Sequence, residues 1–277
     1  MSTQKIDSHQ HFLNPTKLNY SWMSPEMPIA KDFLPEHLGH ILKGNGIDRT
    51  ILVQAADMEE ENTFLLDLTE EHDFIAGVVI WLDMESPRFE ERLLHYNQHP
   101  KFVGIRPMIE SIADDAWMVK PAVRRAFQIL QQNDVCFDFL TQPRHLPYVP
   151  EILEACPRLR AVIDHISKPR IRDKEFQPWA DQMEQIASYP NVFCKLSGMI
   201  TEADHKNWQP ADLETYVSHI LRIFGPERLM FGSDWPVCLL AGSYEEVLDA
   251  LRQNLLDQDT QQIENIFGGS ARRFYRV

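Results

Sequence analysis

The sequence predicts one α/β domain, a (β/α)8 TIM barrel over residues 1–277. Eight short apolar runs alternate with eight segments of helical spacing. Several of the runs lack strict polar alternation, as expected of parallel strands that are covered on both faces. Eight such units in about 250 residues is the usual size of a barrel. An open doubly wound sheet is the alternative, and the lack of a G-x-G-x-x-G turn after an early strand disfavours its dinucleotide-binding version.

The predicted strands are rich in Val, Ile and Phe. They cover residues 5–9, 50–55, 75–82, 102–107, 135–140, 161–166, 192–197 and 229–233. The predicted helices cover residues 34–43, 59–71, 87–96, 118–131, 145–155, 179–188, 212–224 and 244–255. Ser243 precedes Glu246 by three residues, which is a capping box for the eighth helix. A further helix over 260–267 is expected to stop at Gly268 and Gly269.

One connection is much longer than the others. Residues 12–32 follow the first strand and include three prolines. Long connections without secondary structure are often lids or binding loops. Tyr20 and Trp22 would then wall a pocket. A loop that only covers the mouth of the barrel is an equal alternative.

The composition excludes several classes of function. Hydrophobic residues make up 44% and charged residues 25%, as in ordinary water-soluble proteins. A net charge of −14 argues against a nucleic-acid partner. No stretch resembles a signal peptide or reaches the roughly 18 apolar residues of a membrane span, so no membrane partner is expected. Four cysteines without C-x-x-C spacing indicate reduced thiols and a cytoplasmic protein.

The predicted strand ends carry most of the candidate functional residues. A barrel of this type has its active site at the C-terminal ends of its strands. The ionisable and aromatic side chains found there are His9, His11, Trp81, Asp83, Arg106, Asp138, Asp164, His165, Lys195, Ser197, Asp234 and Trp235. Gly232, two residues before Asp234, leaves room for another backbone or a ligand to approach. This concentration at one end predicts a catalytic mouth.

His9 and His11 form the most distinctive pair. Residues i and i+2 of a strand share a face, so the two imidazoles point the same way and suit a transition metal as a chelate. A barrel that closes its last strand against its first would bring Asp234 beside them. Each residue also has a structural alternative. Asp234 could cap the next turn, and a lone histidine such as His165 is more often structural than a ligand.

Several segments resemble the amidohydrolase superfamily. Residues 6–12, Ile-Asp-Ser-His-Gln-His-Phe, resemble its opening motif. One branch contains lactonases that act on sugar-acid lactones (L-fuconolactone and L-rhamnonolactone types) and on 2-pyrone-4,6-dicarboxylate. The segments that resemble this branch are 164–169 (Asp-His-Ile-Ser-Lys-Pro), 194–198 (Cys-Lys-Leu-Ser-Gly), 231–236 (Phe-Gly-Ser-Asp-Trp-Pro) and 267–275 (Phe-Gly-Gly-Ser-Ala-Arg-Arg-Phe-Tyr).

The resemblance implies a distorted barrel that hydrolyses an ester or lactone. It implies Asp234 as general base. The residues implied around the carbonyl group are His9, His11 and His165. The side chains then expected to hold ring substituents are Arg106, Lys195, Trp81 and Trp235. The alternative for Arg106 and Lys195 is an ion pair with an acid at the barrel mouth, such as Asp83 or Asp138.

The metal pattern of the superfamily is incomplete in this sequence. Arg106 stands at the end of strand four, where a carboxylated lysine or a glutamate would be needed, and no histidine ends strand five. A binuclear centre is therefore not expected. One divalent ion, Zn or Mn, held by His9, His11 and Asp234 is one expectation. A metal-free site is the other, because the pyrone lactonases of this branch work without a metal.

The expected partner is a small-molecule lactone. A dicarboxylate pyrone needs several cations in one pocket, whereas only Arg106 and Lys195 clearly stand at strand ends. A neutral sugar lactone is therefore favoured. A pyrone lactonase and a Zn-dependent decarboxylase of the same superfamily are the enzymatic alternatives, and a non-catalytic sugar-acid or metal-binding protein is the third. The oligomeric state stays open, with a homodimer as one expectation.

Overall fold

The computed structural model describes residues 4–277, and its centre is a sheet of eight parallel strands in chain order. This confirms the predicted barrel. The strands are β1 (Ile6–Gln10), β2 (Arg49–Val53), β3 (Ile75–Ile80), β4 (Phe102–Ile105), β5 (Cys136–Phe139), β6 (Ala161–Ile163), β7 (Val192–Leu196) and β8 (Leu229–Phe231). Each overlaps its predicted counterpart, and most end one to three residues earlier.

Helices surround the strands. They are α1 (Pro35–Asn45), α2 (Glu59–Glu71), α3 (Phe89–Tyr96), α4 (Pro121–Gln132), α5 (Val149–Ala155), α6 (Trp179–Ala187), α7 (Pro210–Phe224), α8 (Tyr244–Gln253), α9 (Thr260–Glu264) and α10 (Ser270–Tyr275). Helix α5 begins four residues later than predicted, after a 3-10 segment at Pro143–Tyr148. Proline lacks the N–H that an α-helix interior requires, and Pro147 lies in that segment.

The predicted helix stop at Gly268 and Gly269 is wrong. The chain continues through a π-helical turn, Asn265–Gly269, directly into α10. A side chain on Gly268 would collide with the carbonyl oxygen of Gln4. The glycine therefore serves the close approach of two backbones rather than the end of a helix.

The barrel closes between β8 and β1. A parallel bridge joins Gln10, the last residue of β1, to Trp235, which follows the end of β8. The amide of His11 donates to the carbonyl of Trp235 at 2.7 Å, and the amide of Asp234 donates to the carbonyl of His9 at 2.8 Å. This ladder places the end of the chain's last strand beside the His-x-His of the first.

Two apolar clusters fill the structure. The larger lies between the strands and the helices. The smaller lies inside the barrel, where Val53, Val79 and Val162 pack with Phe274 and Tyr275 of α10. Within residues 4–277, no helix combines the length and the apolar composition that crossing a bilayer requires.

The long connection after β1 lies against the cavity described below. Its first part is fixed to Phe33 by a two-residue bridge from Leu13. The indole N–H of Trp22 donates to the carbonyl of Ala55 at 2.7 Å. Trp22 borders the cavity. Tyr20 is buried behind it, and its hydroxyl accepts the amide N–H of Asn14 at 3.0 Å.

We predict that Gly268→Ala lowers the free energy of unfolding by about 1–3 kcal/mol, because the new methyl group must displace the backbone of Gln4. Gly44→Ala is the matched control. Gly44 lies in α1, and the space that a methyl group would occupy there is open, so alanine should leave stability unchanged or raise it by up to about 1 kcal/mol. Urea unfolding measures both, and equal stabilities of the two variants would contradict the packing argument.

Candidate active site

Three polar side chains converge where β1 and β8 meet. Nε2 of His9 lies 3.2 Å from Nε2 of His11. Oδ1 of Asp234 lies 3.3 Å from Nε2 of His11 and 3.8 Å from Nε2 of His9. A side chain on Gly232 would come within 2.7 Å of the Cβ of His9, so glycine is what lets the two strands approach this closely.

His165 approaches the same carboxylate from β6. Its Nε2 lies 3.8 Å from Oδ1 of Asp234, and its Nδ1 lies 2.9 Å from the hydroxyl of Ser197. Gly198, with φ of +60°, leaves the space for this imidazole, because a Cβ there would lie 2.6 Å from Nδ1. The ring is therefore fixed from behind and presents Nε2 to Asp234.

The site combines a carboxylate with neutral imidazoles. Burial lowers the pKa of His9 and of His165 well below the usual value, and Lys195 lowers that of His9 further. Burial alone would raise the pKa of Asp234, but His165 and His11 outweigh it and hold the pKa below its ordinary value. At neutral pH, Asp234 is thus ready to accept a proton.

Lys195 lies beneath the site rather than in its wall. Its ammonium group donates to Oδ2 of Asp138 at 2.6 Å, pairs with Oδ1 of Asp164 at 2.9 Å and lies 3.0 Å from Nδ1 of His9. The side chain is fully buried. Tyr275 of α10 donates to the same Asp138 oxygen at 2.7 Å. This ion pair with Asp138 is the structural alternative that the sequence left open for Lys195.

The ammonium group of Lys195 acts on the pKa values of Asp138 and Asp164. Burial raises the pKa of Asp138 to about 6, against the opposing effect of Lys195. Burial acts in the same direction on Asp164, but Lys195, with further help from His165 and Arg106, holds its pKa below the usual value. The ammonium group is therefore the charge on which two buried carboxylates depend.

A cavity of about 160 Å³ opens above this cluster. Its polar wall contains His11, Arg106, Glu110, His165, Lys168 and Asp234, and its apolar wall contains Trp22, Met27, Ala55, Met108, Leu140, Val237 and Leu240. Of the predicted substrate-binding residues, Arg106 lies in the wall. In the described part of the chain, Trp81, Trp235 and Lys195 do not.

Contacts with neighbouring groups explain why Arg106 faces the cavity and Trp235 does not. Nη1 of Arg106 lies 3.2 Å from Nε2 of His9 and 3.7 Å from Oδ2 of Asp164, and Nη2 donates to the carbonyl of Gln54. Trp235 is buried edge-on against Phe33, with ring centroids 5.2 Å apart. The indole thus packs the barrel's closure.

Two ionisable residues of the cavity wall had no role in the site predicted from the sequence. Glu110 lies on a 3-10 turn, Ile109–Ser111, after β4, and Lys168 lies four residues after Asp164. Lys168 does fall within the motif Asp-His-Ile-Ser-Lys-Pro, which was the available signal. Glu110 had none, because an acid in a loop gives no sign of the cavity it faces.

Comparison with known proteins identifies the family. A family model described as Amidohydrolase matches residues 6–277. This chain belongs to the amidohydrolase family. It is a hydrolase.

Close relatives of this amidohydrolase are known. The L-fucono-1,5-lactonase of Burkholderia ambifaria is 37% identical over 283 residues, covering 99% of this chain and 96% of that protein. The L-fucono-1,5-lactonase of Burkholderia multivorans is 36% identical and covers 100% of this chain and 97% of that protein. A crystal structure of an amidohydrolase from Burkholderia multivorans with bound Zn superposes with a TM-score of 0.93 at 34% identity, over 99% of both chains.

The residues of this amidohydrolase fit one divalent metal ion. Ligand atoms about 2.0–2.2 Å from a tetrahedral Zn²⁺ lie roughly 3.3–3.6 Å apart. The corresponding distances among His9, His11 and Asp234 are 3.2, 3.3 and 3.8 Å. An ion there would displace Arg106 from Nε2 of His9. A second candidate group, with Asp164 and His165, shares His9. There the ammonium group of Lys195 already lies 3.0 Å from Nδ1 of His9 and 2.9 Å from Oδ1 of Asp164, so this group is less suited to a metal ion.

We predict that Lys195→Met lowers the free energy of unfolding by roughly 3–5 kcal/mol, because it leaves the Asp138 and Asp164 carboxylates buried without their cation. The matched control is Lys120→Met. Lys120 pairs with the exposed Glu85 at 3.3 Å, so its loss should change stability by less than about 1 kcal/mol. Urea unfolding separates the two. A Lys195→Met enzyme of wild-type stability with a lowered kcat/KM would instead make Lys195 a substrate contact.

Proposed function

We propose that this chain hydrolyses a sugar-acid lactone of the L-fucono-1,5-lactone type, with Asp234 as general base. The observation that carries the proposal is a buried carboxylate of lowered pKa at the base of a cavity, with His9, His11 and His165 around it. The chain's 37% identity to an L-fucono-1,5-lactonase, over nearly its whole length, supports the substrate class.

In this mechanism Asp234 takes a proton from the attacking water. The hydroxide adds to the lactone carbonyl, and the tetrahedral intermediate collapses with cleavage of the ring C–O bond. The protonated Asp234 then returns the proton to the leaving alkoxide. One water is consumed, and the product is the open hydroxy acid.

His11 and His165 have different roles in the proposed mechanism. Nδ1 of His11 lies 2.7 Å from the carbonyl of Val53 and donates to it, which fixes the ring so that its Nε2 faces Oδ1 of Asp234 at 3.3 Å. Nδ1 of His165 can accept from the hydroxyl of Ser197, which puts the ring hydrogen on Nε2, where it can donate to the developing oxyanion. Arg106 offers a second donor at the cavity wall. A divalent ion held by His9, His11 and Asp234 would add polarisation of the carbonyl when bound.

The charge of the cavity favours a neutral lactone over a dicarboxylate. Lys168 pairs with Glu110 at 2.5 Å, and Arg106 lies 3.7 Å from Asp164. Both cations of the cavity wall are therefore compensated by acids. Among the described residues of the wall, a dianionic pyrone would find no cation without a carboxylate beside it, whereas a hydroxylated neutral ring needs no unpaired cation.

The direct test is an assay of lactone opening with a pH indicator. L-Fucono-1,5-lactone and other aldonolactones should be opened, and 2-pyrone-4,6-dicarboxylate should be opened much more slowly. A preference for the pyrone would reverse the substrate assignment. Absence of turnover on every lactone would return the decarboxylase and the non-catalytic binding protein as the leading candidates.

We predict that Asp234→Asn folds normally and loses at least about 10²-fold in kcat, because an amide cannot accept the proton of water. Asp83→Asn is the control, since Asp83 is exposed at the end of β3 and lies outside the cavity wall. The assay is kcat on an aldonolactone, with a thermal melt on the same preparations. Near wild-type turnover by Asp234→Asn would remove Asp234 from the role of base.

We predict no more than one tightly bound divalent ion per chain, because the second candidate group shares His9 with the first and its Asp164 is already paired with the ammonium group of Lys195. Elemental analysis of the purified protein measures this stoichiometry. Two ions per chain would refute the prediction. Full activity after removal of all metal by a chelator would show that protein donors alone suffice for the reaction.

A further inference from the structure

The segment after β6 has an unusual backbone. His165, Ile166, Ser167 and Lys168 all have positive φ, at 54°, 46°, 61° and 49°. Residues other than glycine rarely adopt this backbone conformation, and a β-branched residue such as Ile166 does so least of all. Four consecutive residues in this state indicate strain that the surrounding structure must hold in place.

Specific contacts hold the turn. The indole N–H of Trp179 donates to the carbonyl of Ile166 at 2.7 Å. The hydroxyls of Ser167 and Thr141 lie 2.8 Å apart. The amide of Lys168 donates to the carbonyl of His165 at 2.8 Å, which closes the turn. As a result, the residues at its two ends, His165 and Lys168, line the same cavity.

The ammonium group of Lys168 meets an acid from another loop. Its Nζ donates to Oε2 of Glu110 at 2.5 Å, and the two side chains are 20% and 21% exposed. The loop that carries Glu110 is itself fixed, because Arg144 donates to the carbonyl of Glu110 at 2.8 Å. Three connections, after β4, β5 and β6, thus cooperate to set one ion pair at the cavity wall.

Lys168 and Glu110 lie in the cavity wall but have no role in the proposed reaction. The other ionisable residues lining the cavity, His11, Arg106, His165 and Asp234, surround the reacting carbonyl, and the remaining wall is apolar. A polyhydroxylated ring needs polar partners away from that carbonyl. Among residues 4–277, Lys168 and Glu110 are the ionisable side chains in the wall that remain for this task.

We propose that Lys168 and Glu110 form a subsite that binds hydroxyl groups of the lactone ring. Two hydrogens of the ammonium group remain to donate, and Oε1 of Glu110 remains to accept, since their mutual bond uses Oε2. A donor beside an acceptor matches a hydroxyl group, which offers both. A lone cation would instead select a carboxylate. The inference rests on the proposed lactonase function and names the part of the cavity that recognises the sugar.

The alternative is that the pair only ties two loops together. In that case, its loss should lower stability and reduce activity on every lactone alike. An electrostatic effect of Lys168 on Asp234 would also act on every lactone alike. Only a contact with ring hydroxyls makes the loss depend on whether the substrate carries them.

The test compares an aldonolactone with δ-valerolactone, an unsubstituted ring of the same kind. Lys168→Met and Glu110→Gln should each lower kcat/KM for the aldonolactone by about 10- to 100-fold, the scale of a hydrogen bond to a charged group, and for δ-valerolactone by less than about threefold. Lys120→Met, which removes an exposed pair outside the cavity, is the control and should change neither value. Equal losses on both lactones in both variants would overturn the subsite.

Calorimetric titration with the corresponding open sugar acid separates this proposal from the proposed function. If the wild type opens no lactone but binds the sugar acid, a tenfold or greater weakening in Lys168→Met and Glu110→Gln still supports the subsite. Unchanged binding in both variants overturns it. A wild type that neither opens nor binds any hydroxylated ligand overturns both proposals. Glu110→Gln keeps the shape of the side chain, so it remains informative if Lys168→Met fails to fold.

Discussion

The site depends on the closure of the barrel between β8 and β1. The carboxylate of Asp7, fully buried, joins the two strands. Its Oδ1 accepts from the amides of Ser233 at 2.9 Å and His9 at 3.1 Å, and its Oδ2 accepts from the hydroxyl of Tyr244 at 3.1 Å. Gly232 removes the side chain that would hold the strands apart. The His-x-His pair and Asp234 are neighbours only because this seam is closed.

Three residues that line the cavity, His165, Lys168 and Asp234, have a strained backbone. Asp234 has φ of 58°, in the same left-handed region as the turn after β6. Each such residue costs about 1–3 kcal/mol, so the surrounding structure must over-determine these conformations. The buried network around Lys195 and the apolar packing inside the barrel supply that rigidity. The chemistry is thus carried by local conformations that a short peptide would not adopt.

Much of the fold was predictable because periodicity is local. The eight strands and helices follow from apolar spacing, and the meeting of His9 with Asp234 follows from closure alone. Depth along a strand is a different matter. Lys195 and Arg106 both stand near strand ends, yet Lys195 is buried beneath the site and Arg106 faces the cavity. Lys195 lies within β7, one residue before its end, whereas Arg106 follows the last residue of β4. Glu110 depends on the course of a loop, which apolar spacing does not describe.

The closure between β8 and β1 determines what each half of the chain would contain if the chain were cut in two. The contacts that build the site join residues 223 positions apart in the chain, such as His11 and Asp234. A break in the surface connection at residues 133–134, between α4 and β5, would leave His9 and His11 on one fragment and Asp234 on the other. Neither fragment would hold a complete site, and each would expose open sheet edges that seek a partner. Such a pair of fragments would act as a two-part reporter, silent when apart and active only when an external interaction brings the halves of the barrel together.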